Sequence, residues 1–491
     1  MRALPKLLSK TKLMRGYRCH KALYLTIQRP DLEPPITPEL QALFDQGNQI
    51  GELARTYYPG GVLVDFPAWE FINSLKRTRE LIAAGSEVIY EAAFEYKGCY
   101  ARVDIIKLSK ETQRWTLLEA KSTTRVKHEH IDDVGLQAWI VANSGLPVEK
   151  IALLHLNPEC RFPNLKNLFV EADLTEMLRE KYRQTAPRLT AIFEALRDPH
   201  EPEVDVGPHC TTNRDCEFKN YCFQQRGLPE ISVLDVYVLK NKWDLYAKGK
   251  IRLEDLDTAE MTTIQQRMIQ SHLSGQRNMD LEAVREGVRD WKFPMVFLDF
   301  ETVGHAVPRY EGCGPYNQVP FQFSVHVLDS LEATPRHFYF LHDQDTDPRP
   351  ALIPELLMAC QGPGSIIAYN KKFEVGVIER LADVFPAAAE ALLQLVPRFA
   401  DPLPLIRETI YDPAFRGGFG LKKVAPALLG EKYSYAELSV DDGGAAQRAY
   451  AQYVSGQLSP EARKVVEKAL LDYCAQDTLA AMELVKFIMK L

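Results

Sequence analysis

Acidic side chains and a lysine recur at a spacing suited to metal chemistry in the first third of the sequence. Asp104 lies in ARVDII, and Glu119 and Lys121 lie two residues apart in LLEAK. Because alternate residues of a strand share a face, Glu119 and Lys121 would project together, and Asp104 could join them from a neighbouring strand. Carboxylates bind Mg²⁺ or Mn²⁺, and a nearby lysine can orient or deprotonate water. The pattern indicates a hydrolytic metal site, although a bare D…ExK is more often a solvated strand face with a chance salt bridge.

Two further polar residues accompany this pattern. Glu91 lies upstream of it, and Gln137 lies on a helix predicted from about Ile131 to Ala142. Their positions around apolar strand segments strengthen the interpretation of a catalytic site, and we include both among the candidate catalytic residues.

A second set of acids lies in the last 200 residues. Asp299 and Glu301 are two apart in the apolar strand VFLDFET, Glu374 opens a predicted helix in AYNKKFE, and Tyr473 and Asp477 are four apart in LDYCAQD. Residues four apart share a helix face. Four converging carboxylates repel one another unless they hold cations, and paired metal ions can hydrolyse phosphodiesters. Tyr473 could position the attacking water. Each piece alone is weak, but the three in order predict a two-metal site.

Four cysteines form a third group. Cys210, Cys216 and Cys222 occur as C-x5-C-x5-C, and Cys19 lies far upstream. Thiolates are soft ligands suited to zinc or iron–sulfur clusters. Three neighbouring cysteines cannot close a four-coordinate site, so a remote fourth ligand is expected.

Two alternatives remain open for these cysteines. The three could be coincidental neighbours in a loop, or the site could hold zinc with His209 or His20 as a substitute ligand. The chain has nine cysteines, an odd number, and its amino end lacks a signal-peptide pattern. Disulfides are therefore not expected.

The elements that must position these groups can be read from the residue pattern. VIYEAAFEY, CYARVDIIKL and RWTLLEAK predict three strands followed by a helix. Residues 230–290 predict polar helices. MVFLDFET opens a second αβ unit, SIIAYN predicts another strand, and a helix closes the chain. The expected fold class is α/β.

Length and charge narrow the class of protein. The 491 residues are enough for about three domains. The net charge of −7 argues against a polybasic coat protein, but an enzyme needs only a local basic groove for nucleic acid. No apolar run approaches the ~20 residues of a membrane span. We therefore expect a cytoplasmic protein without a membrane partner.

The first group of residues resembles the PD-(D/E)XK nuclease superfamily, in its RecB-like branch. Asp104, Glu119 and Lys121 match the metal-and-lysine core of that branch, and Gln137 matches the glutamine of the following helix. Two features depart from the pattern: Val141 stands where a tyrosine is usual, and the upstream segment GNQIGELAR contains no histidine. Glu91 could compensate for the histidine.

One cysteine before this core and three after it resemble the iron–sulfur nucleases, which include RecB-like CRISPR-associated nucleases and AddB-type helicase–nuclease subunits. The resemblance implies that Cys19, Cys210, Cys216 and Cys222 hold a structural 4Fe–4S cluster. Such a cluster would join the two ends of the domain and remove chain entropy from the unfolded state.

The second set of acids resembles the DEDD exonucleases of the RNase H-like fold, in the subtype with a tyrosine. Asp299 and Glu301 match the first motif, and Tyr473 and Asp477 match the last. Glu374 stands where the second motif normally has aspartate. The segment GGFGLKKVAPALLG resembles the region before the last motif, and its lysines, Lys422 and Lys423, are candidate phosphate contacts.

The whole chain resembles an uncharacterised bacterial family that fuses the two modules. The expected domains are a RecB-like nuclease at 1–225, a helical connector at 226–290 and an exonuclease-like domain at 291–491. The resemblance implies a magnesium- or manganese-dependent DNA nuclease, acting on single strands or ends, with a second site that trims 3′ ends. A nucleic-acid-binding or assembly protein with one inactive nuclease fold, and an RNA-processing exonuclease, remain alternatives. Protein partners are not indicated.

Overall fold

The computed structural model describes residues 4–491, and it has the mixed α/β architecture expected from the sequence, with sheets flanked by helices. The described chain divides into two compact units. The first holds residues 4–227 with Ala306–Arg309 and Cys313–Pro315, and the second holds Leu228–His305, Tyr310–Gly312 and Tyr316–Leu491. Most of the predicted connector at 226–290 is therefore grouped with the second unit. In the described part of the chain, no helix is both long and apolar enough to cross a membrane.

The first unit is built on a seven-stranded mixed sheet. Its strands are β1 (Leu8–Ser9), β2 (Val62–Leu63), β3 (Val88–Tyr96), β4 (Cys99–Leu108), β5 (Trp115–Lys121), β6 (Val148–Leu156) and β7 (Phe169–Asp173). Its helices are α1 (Lys10–Arg18), α2 (His20–Gln28), α3 (Pro38–Thr56), α4 (Phe71–Ala83), α5 (His128–Asn143), α6 (Thr175–Arg197) and α7 (Lys219–Arg226). The predicted helix at Ile131–Ala142 thus corresponds to α5.

Strand order in this sheet is β2-β3-β4-β5-β6-β7, and β1 pairs in parallel with β4. The β3–β4 and β4–β5 pairs are antiparallel, and β5–β6 is parallel. The main core contains Leu13 of α1, Leu23 of α2, Val134 of α5 and Leu178 of α6, all buried against the sheet residues. Apolar burial therefore fixes these four helices to the sheet. One of them, α5, carries the candidate residue Gln137.

The second unit is built on a five-stranded sheet with a separate two-stranded ribbon. Its strands are β8 (Asn278–Met279), β9 (Met295–Gly304), β10 (Gln318–Leu328), β11 (Arg336–Leu341), β12 (Ile366–Ile367), β13 (Phe399–Ala400) and β14 (Ile410–Tyr411). Its helices are α8 (Lys242–Ala247), α9 (Thr263–Ser274), α10 (Leu281–Val288), α11 (Arg349–Ala359), α12 (Lys372–Val384), α13 (Pro386–Leu393), α14 (Pro402–Thr409), α15 (Leu421–Leu429), α16 (Gly443–Val454) and α17 (Pro460–Met489).

The order of the five strands is β11-β10-β9-β12-β13. The first three are antiparallel, and β12 runs parallel to both β9 and β13. Val296 and Leu298 of β9 pack with residues of α11 and α12, whereas Met295 and Phe297 pack with Met482 and other residues of α17. Since strand side chains alternate, Asp299 and Glu301 share the face that carries α17.

Candidate functional site: two carboxylate clusters and a cysteine quartet

The first cluster forms where β5 separates from β4. The β4–β5 ladder runs from Leu108↔Trp115 to Ile105↔Leu118. At the next position along β4, Asp104 accepts a hydrogen bond through Oδ2 from the backbone N–H of Ala120 at 2.7 Å. A side chain thus replaces the backbone ladder at this point, which places the carboxyl of Asp104 beside that of Glu119.

Glu119 is buried, and cationic and amide groups hold both of its oxygens. Lys121 Nζ lies 2.7 Å from Oε1, as predicted from the shared strand face. Gln137 donates from Nε2 to Oε2 at 2.9 Å and to the backbone oxygen of Arg102 at 2.7 Å. Glu119, Lys121 and Gln137 therefore meet although they come from β5 and α5.

Two residues that the sequence analysis missed complete this cluster. Lys10 Nζ lies 2.7 Å from Glu119 Oε1 and 3.0 Å from Asp133 Oδ1. Lys121 Nζ lies 2.6 Å from Asp133 Oδ2. Asp133 precedes Gln137 by four residues on α5, so helix periodicity alone could have identified it. No local pattern marks Lys10. We call Lys10, Asp104, Glu119, Lys121 and Asp133 the lysine–carboxylate cluster.

Electrostatics divide the acids of this cluster into two kinds. Burial raises the pKa of Asp104 to about 8, and the charges of Glu119 and Glu91 add to the effect. Burial would also raise the pKa of Glu119 and Asp133, but Lys10 and Lys121 hold both below their usual values. Near neutral pH, Asp104 carries a proton while Glu119 and Asp133 are ionised.

Glu91 lies opposite Asp104, because the β3–β4 register pairs Tyr90 with Ile105 and Ala92 with Val103. Its carboxylate forms ion pairs with Arg55 (Nη2–Oε1 2.9 Å) and Arg102 (Nε–Oε2 3.3 Å). Two arginines thus neutralise Glu91 at the border of the cluster. Val141 of α5 is fully buried in the core.

The cysteine quartet Cys19, Cys210, Cys216 and Cys222 lines one cavity. Cys19 joins α1 to α2, Cys210 ends a short 3₁₀ helix at Pro208–Cys210, and Cys222 lies on α7. All four are free thiols, and burial raises the pKa of Cys222 to about 11. Four sulfur donors around one cavity suit a soft metal or cluster, which would bind the thiolates and release their protons. His209 also lines the cavity.

The second cluster brings together acids from β9 and α17. Asp299, Glu301 and Asp477 each have a carboxylate oxygen within 4.8 Å of the others. They line a cavity of about 620 Å³ together with Tyr473. We call this the acidic cavity.

Glu374, in the first turn of α12, is buried and interacts electrostatically with Asp299 and Asp477, but it lies outside the three-carboxylate group and is not among the residues that line the cavity. Its side chain is 4 % exposed, and Oε2 has no hydrogen-bond partner among residues 4–491. A buried carboxylate oxygen without a partner is costly. The group that fits Mg²⁺ or Mn²⁺ consists of Asp299, Glu301 and Asp477, and the predicted fourth ligand Glu374 is not part of it.

Tyr435 and Lys422 organise the acidic cavity from outside the predicted motif residues. Tyr435 donates its hydroxyl hydrogen to Asp477 Oδ1 at 2.6 Å. Lys422 Nζ donates to Tyr473 Oη at 3.0 Å and lies over the rings of Tyr435 and Tyr473. Because an ammonium group can only donate, the hydroxyl hydrogen of Tyr473 is directed elsewhere. Lys422, expected at a phosphate, therefore orients Tyr473. Tyr435 was not identified from the sequence.

Burial raises the pKa of all four acids; repulsion between carboxylates adds to this at Asp299, Glu301 and Glu374, whereas Tyr435 and Lys422 oppose it at Asp477. The pKa of Glu301 and that of Glu374 rise to about 8, that of Asp477 rises to about 6, and that of Asp299 rises well above its usual range. The cation-free cavity is therefore largely protonated near neutral pH.

This protonation predicts a pH dependence for metal binding. Mn²⁺ must displace protons from Glu301 and Asp477, so its affinity should rise as pH increases from about 6 through 8, with proton release on binding. Calorimetric titration of the full chain in buffers of different ionisation enthalpy would measure both effects. To remove the contribution of the first cluster, the titration uses a Glu119→Gln variant. An affinity that stays constant between pH 6 and 8.5 would contradict the charge states described here.

A family described as Domain of unknown function (DUF2779) matches residues 296–420. No curated protein matches the chain. Among solved structures, the crystal structure of SSO0001 has 13 % identity and a TM-score of 0.23, and the match covers 45 % of this chain and 88 % of that one. The crystal structure of an alkaline exonuclease from Laribacter hongkongensis has 12 % identity to this chain and a TM-score of 0.23. The match covers 39 % of this chain and 90 % of the exonuclease.

Proposed function

We propose that this chain is a metal-dependent nuclease with two hydrolytic sites, the lysine–carboxylate cluster and the acidic cavity. The observation that carries the proposal is the acidic cavity itself. Three carboxylates within 4.8 Å of one another open into a space of about 620 Å³, beside a buried fourth carboxylate. Such a grouping is unfavourable without cations and is suited to holding two of them.

The acidic cavity would act on a phosphodiester end. Asp299, Glu301 and Asp477 would hold Mg²⁺ or Mn²⁺, which supplies Lewis-acid stabilisation of the phosphate oxygens. Tyr473, oriented by Lys422, would direct its hydroxyl toward the attacking water. The order β11-β10-β9-β12-β13, antiparallel and then parallel, supports an RNase H-like fold for this unit. We assign it 3′–5′ exonuclease activity.

The lysine–carboxylate cluster would form the second hydrolytic site. Asp104 and Glu119 would bind Mg²⁺ or Mn²⁺, and Gln137 keeps one oxygen of Glu119 in a fixed orientation. Lys121 would orient the water and offset charge on the phosphate. The mixed sheet with Asp104 on β4 and Glu119 on β5 supports a PD-(D/E)XK core. Cys19, Cys210, Cys216 and Cys222 would hold a structural 4Fe–4S cluster, for which four thiols around one cavity are the supporting observation.

DNA is the proposed substrate, as single strands or free ends. The experiment uses the full chain, purified anaerobically, with Mg²⁺ or Mn²⁺ and end-labelled single- and double-stranded DNA and the matching RNAs. Cleavage of DNA with 3′-end shortening supports the proposal. Preference for RNA would favour an RNA-processing exonuclease, and binding without cleavage would favour an assembly or binding protein.

Selective loss of each activity is the expected result of two substitutions. Asp477→Ala should reduce 3′ trimming by about a thousandfold, and Lys121→Ala should reduce the other activity by a similar factor, because several kcal/mol of charge stabilisation is lost. Matched controls are Asp472→Ala, five residues earlier on α17, and Lys110→Ala, on an exposed loop; each control residue forms its ion pair at the surface. If neither site variant changes cleavage, the residue assignments are wrong.

A further inference from the structure

Helix α1 connects the lysine–carboxylate cluster directly to the cysteine quartet. Lys10 is its first residue, and Cys19 follows its last. At 1.5 Å per residue, this nine-residue helix spans about 13 Å. Its middle is closely packed: a Cβ on Gly16 would lie 2.8 Å from Leu23 Cδ2 and 2.9 Å from Ile192 Cδ1. A regular helix of nine residues is stiff over this length, so a shift of its carboxyl end would be passed on to Lys10 at its amino end.

The amino end of α1 is placed by the sheet. β3 pairs with β4 along its whole length, and β1 therefore pairs with Cys99–Tyr100 on the other edge, in line with β5. Lys10, the residue after β1, is thereby directed at Glu119 and Asp133. Its side chain is 19 % exposed, and it makes the same two ion pairs as Lys121.

The carboxyl end of α1 is attached to the loop between Cys210 and Cys216. Arg18 donates from Nε to the backbone oxygen of His209 at 2.6 Å and from Nη2 to that of Arg214 at 2.5 Å. The same loop reaches α5, since Asn213 donates to Glu129 Oε2 at 2.6 Å. The loop therefore contacts both helices that supply the lysine–carboxylate cluster from outside the sheet.

Charge explains what Lys10 contributes. Asp104, Glu119 and Asp133, when ionised, outnumber the ammonium groups of Lys10 and Lys121 by one. A single bound dication turns that excess into one net positive charge, which favours an anionic phosphate. Without Lys10 the same site is neutral, and Glu119 Oε1 loses one of its two lysine partners.

We propose that Lys10 is a positioning residue of the first site, and that α1 makes its placement depend on the cysteine quartet. When the quartet binds its cluster, Cys19 and the 210–216 loop hold α1, and Lys10 stays on Glu119 and Asp133. When the quartet is empty, the carboxyl end of α1 is released and Lys10 withdraws. This inference rests on the proposed function of the first site.

The test measures the accessibility of Lys10 and needs no cleavage. The full chain is treated briefly with an amine-acylating reagent, and modification of Lys10 is quantified by mass spectrometry against Lys12 on the same helix. In the iron-loaded protein, Lys10 should react at least about tenfold more slowly than Lys12. Cys222→Ser should remove that protection. Equal Lys10 protection in the loaded protein and in an iron-free Cys222→Ser variant would overturn the proposal.

A second variant separates this effect from unfolding. Arg18→Gln cuts the loop contact but keeps all four thiols, so iron should remain bound while Lys10 modification rises about threefold. Hydrogen exchange in β3–β5 monitors the core in each sample. If Lys10 is exposed only together with exchange of the whole sheet, the effect is unfolding and the proposal fails.

Activity of the first site provides the last readout. Lys10→Met should lower its kcat/KM by about 10- to 100-fold. Lys10→Arg should restore much of the loss, because a cation returns, and Lys12→Met should have no effect. An arginine variant as impaired as Lys10→Met would count against a charge-based role. If the chain cleaves nothing, the proposed function fails, whereas the labelling result still decides the link through α1.

Discussion

Replacing Asp299 with asparagine is expected to stabilise the metal-free protein while abolishing 3′ trimming. Burial and the charges of Asp477, Glu301 and Glu374 raise the pKa of Asp299. An acid whose pKa is higher in the folded state binds protons more tightly there, so folding stability falls as pH rises from its usual pKa toward the raised one. Removing that acid relieves part of the repulsion.

The measurement is thermal unfolding of the metal-free protein at pH 6 and pH 8.5. Asp299→Asn should raise Tm by about 2–4 °C for each kcal/mol of relieved repulsion, with the larger gain at pH 8.5. Added Mn²⁺ should stabilise the parent protein, and should do so much less in the variant. Trimming should fall about a thousandfold.

Asp472→Asn serves as the control, because Asp472 lies on α17 and pairs with Lys468 at the surface. It should change neither Tm nor trimming. A lower Tm for metal-free Asp299→Asn would mean that Asp299 stabilises the fold. It would contradict the interpretation that the clustered acids of the acidic cavity destabilise the metal-free protein.

Replacing Cys222 with serine is expected to remove iron and to destabilise the first unit. Cys19 lies between β1 and β2 and Cys222 follows β7, so a shared cluster closes a loop over most of this unit. Closing a loop of this size lowers the free energy of the folded state, relative to the unfolded chain, by about 3–5 kcal/mol. The corresponding unfolding transition should fall by roughly ten degrees.

The check combines iron and sulfide analysis, visible absorbance and thermal unfolding of anaerobically purified protein. Cys99→Ala is the matched control, since Cys99 is a buried thiol of the same unit that lies outside the quartet. It should retain iron. If the parent protein contains zinc and no iron, the quartet is a zinc site and not a 4Fe–4S site. If the parent protein contains no metal, the quartet is four thiols without a ligand.

Local periodicity accounts for what the sequence determined. The pairs Glu119–Lys121, Asp299–Glu301 and Tyr473–Asp477 follow from the two-residue repeat of strands and the 3.6-residue repeat of helices. These repeats also predicted the strands around Asp104 and the helix that carries Gln137. Such spacings span a few residues within one strand or helix and do not depend on how the elements pack against each other. They can therefore be read from the amino-acid sequence alone.

Only the tertiary structure decided which distant residues meet. Lys10 and Glu119 are 109 positions apart, and Tyr435 and Asp477 are 42 apart. Their contacts depend on sheet register and on the end of the β4–β5 ladder, which no local pattern specifies. Charge states were decided in the same way. Burial raises the pKa of both Asp104 and Glu119, but Lys10 and Lys121 pair directly with Glu119 and are only the smaller influences on Asp104, so Asp104 is protonated and Glu119 ionised.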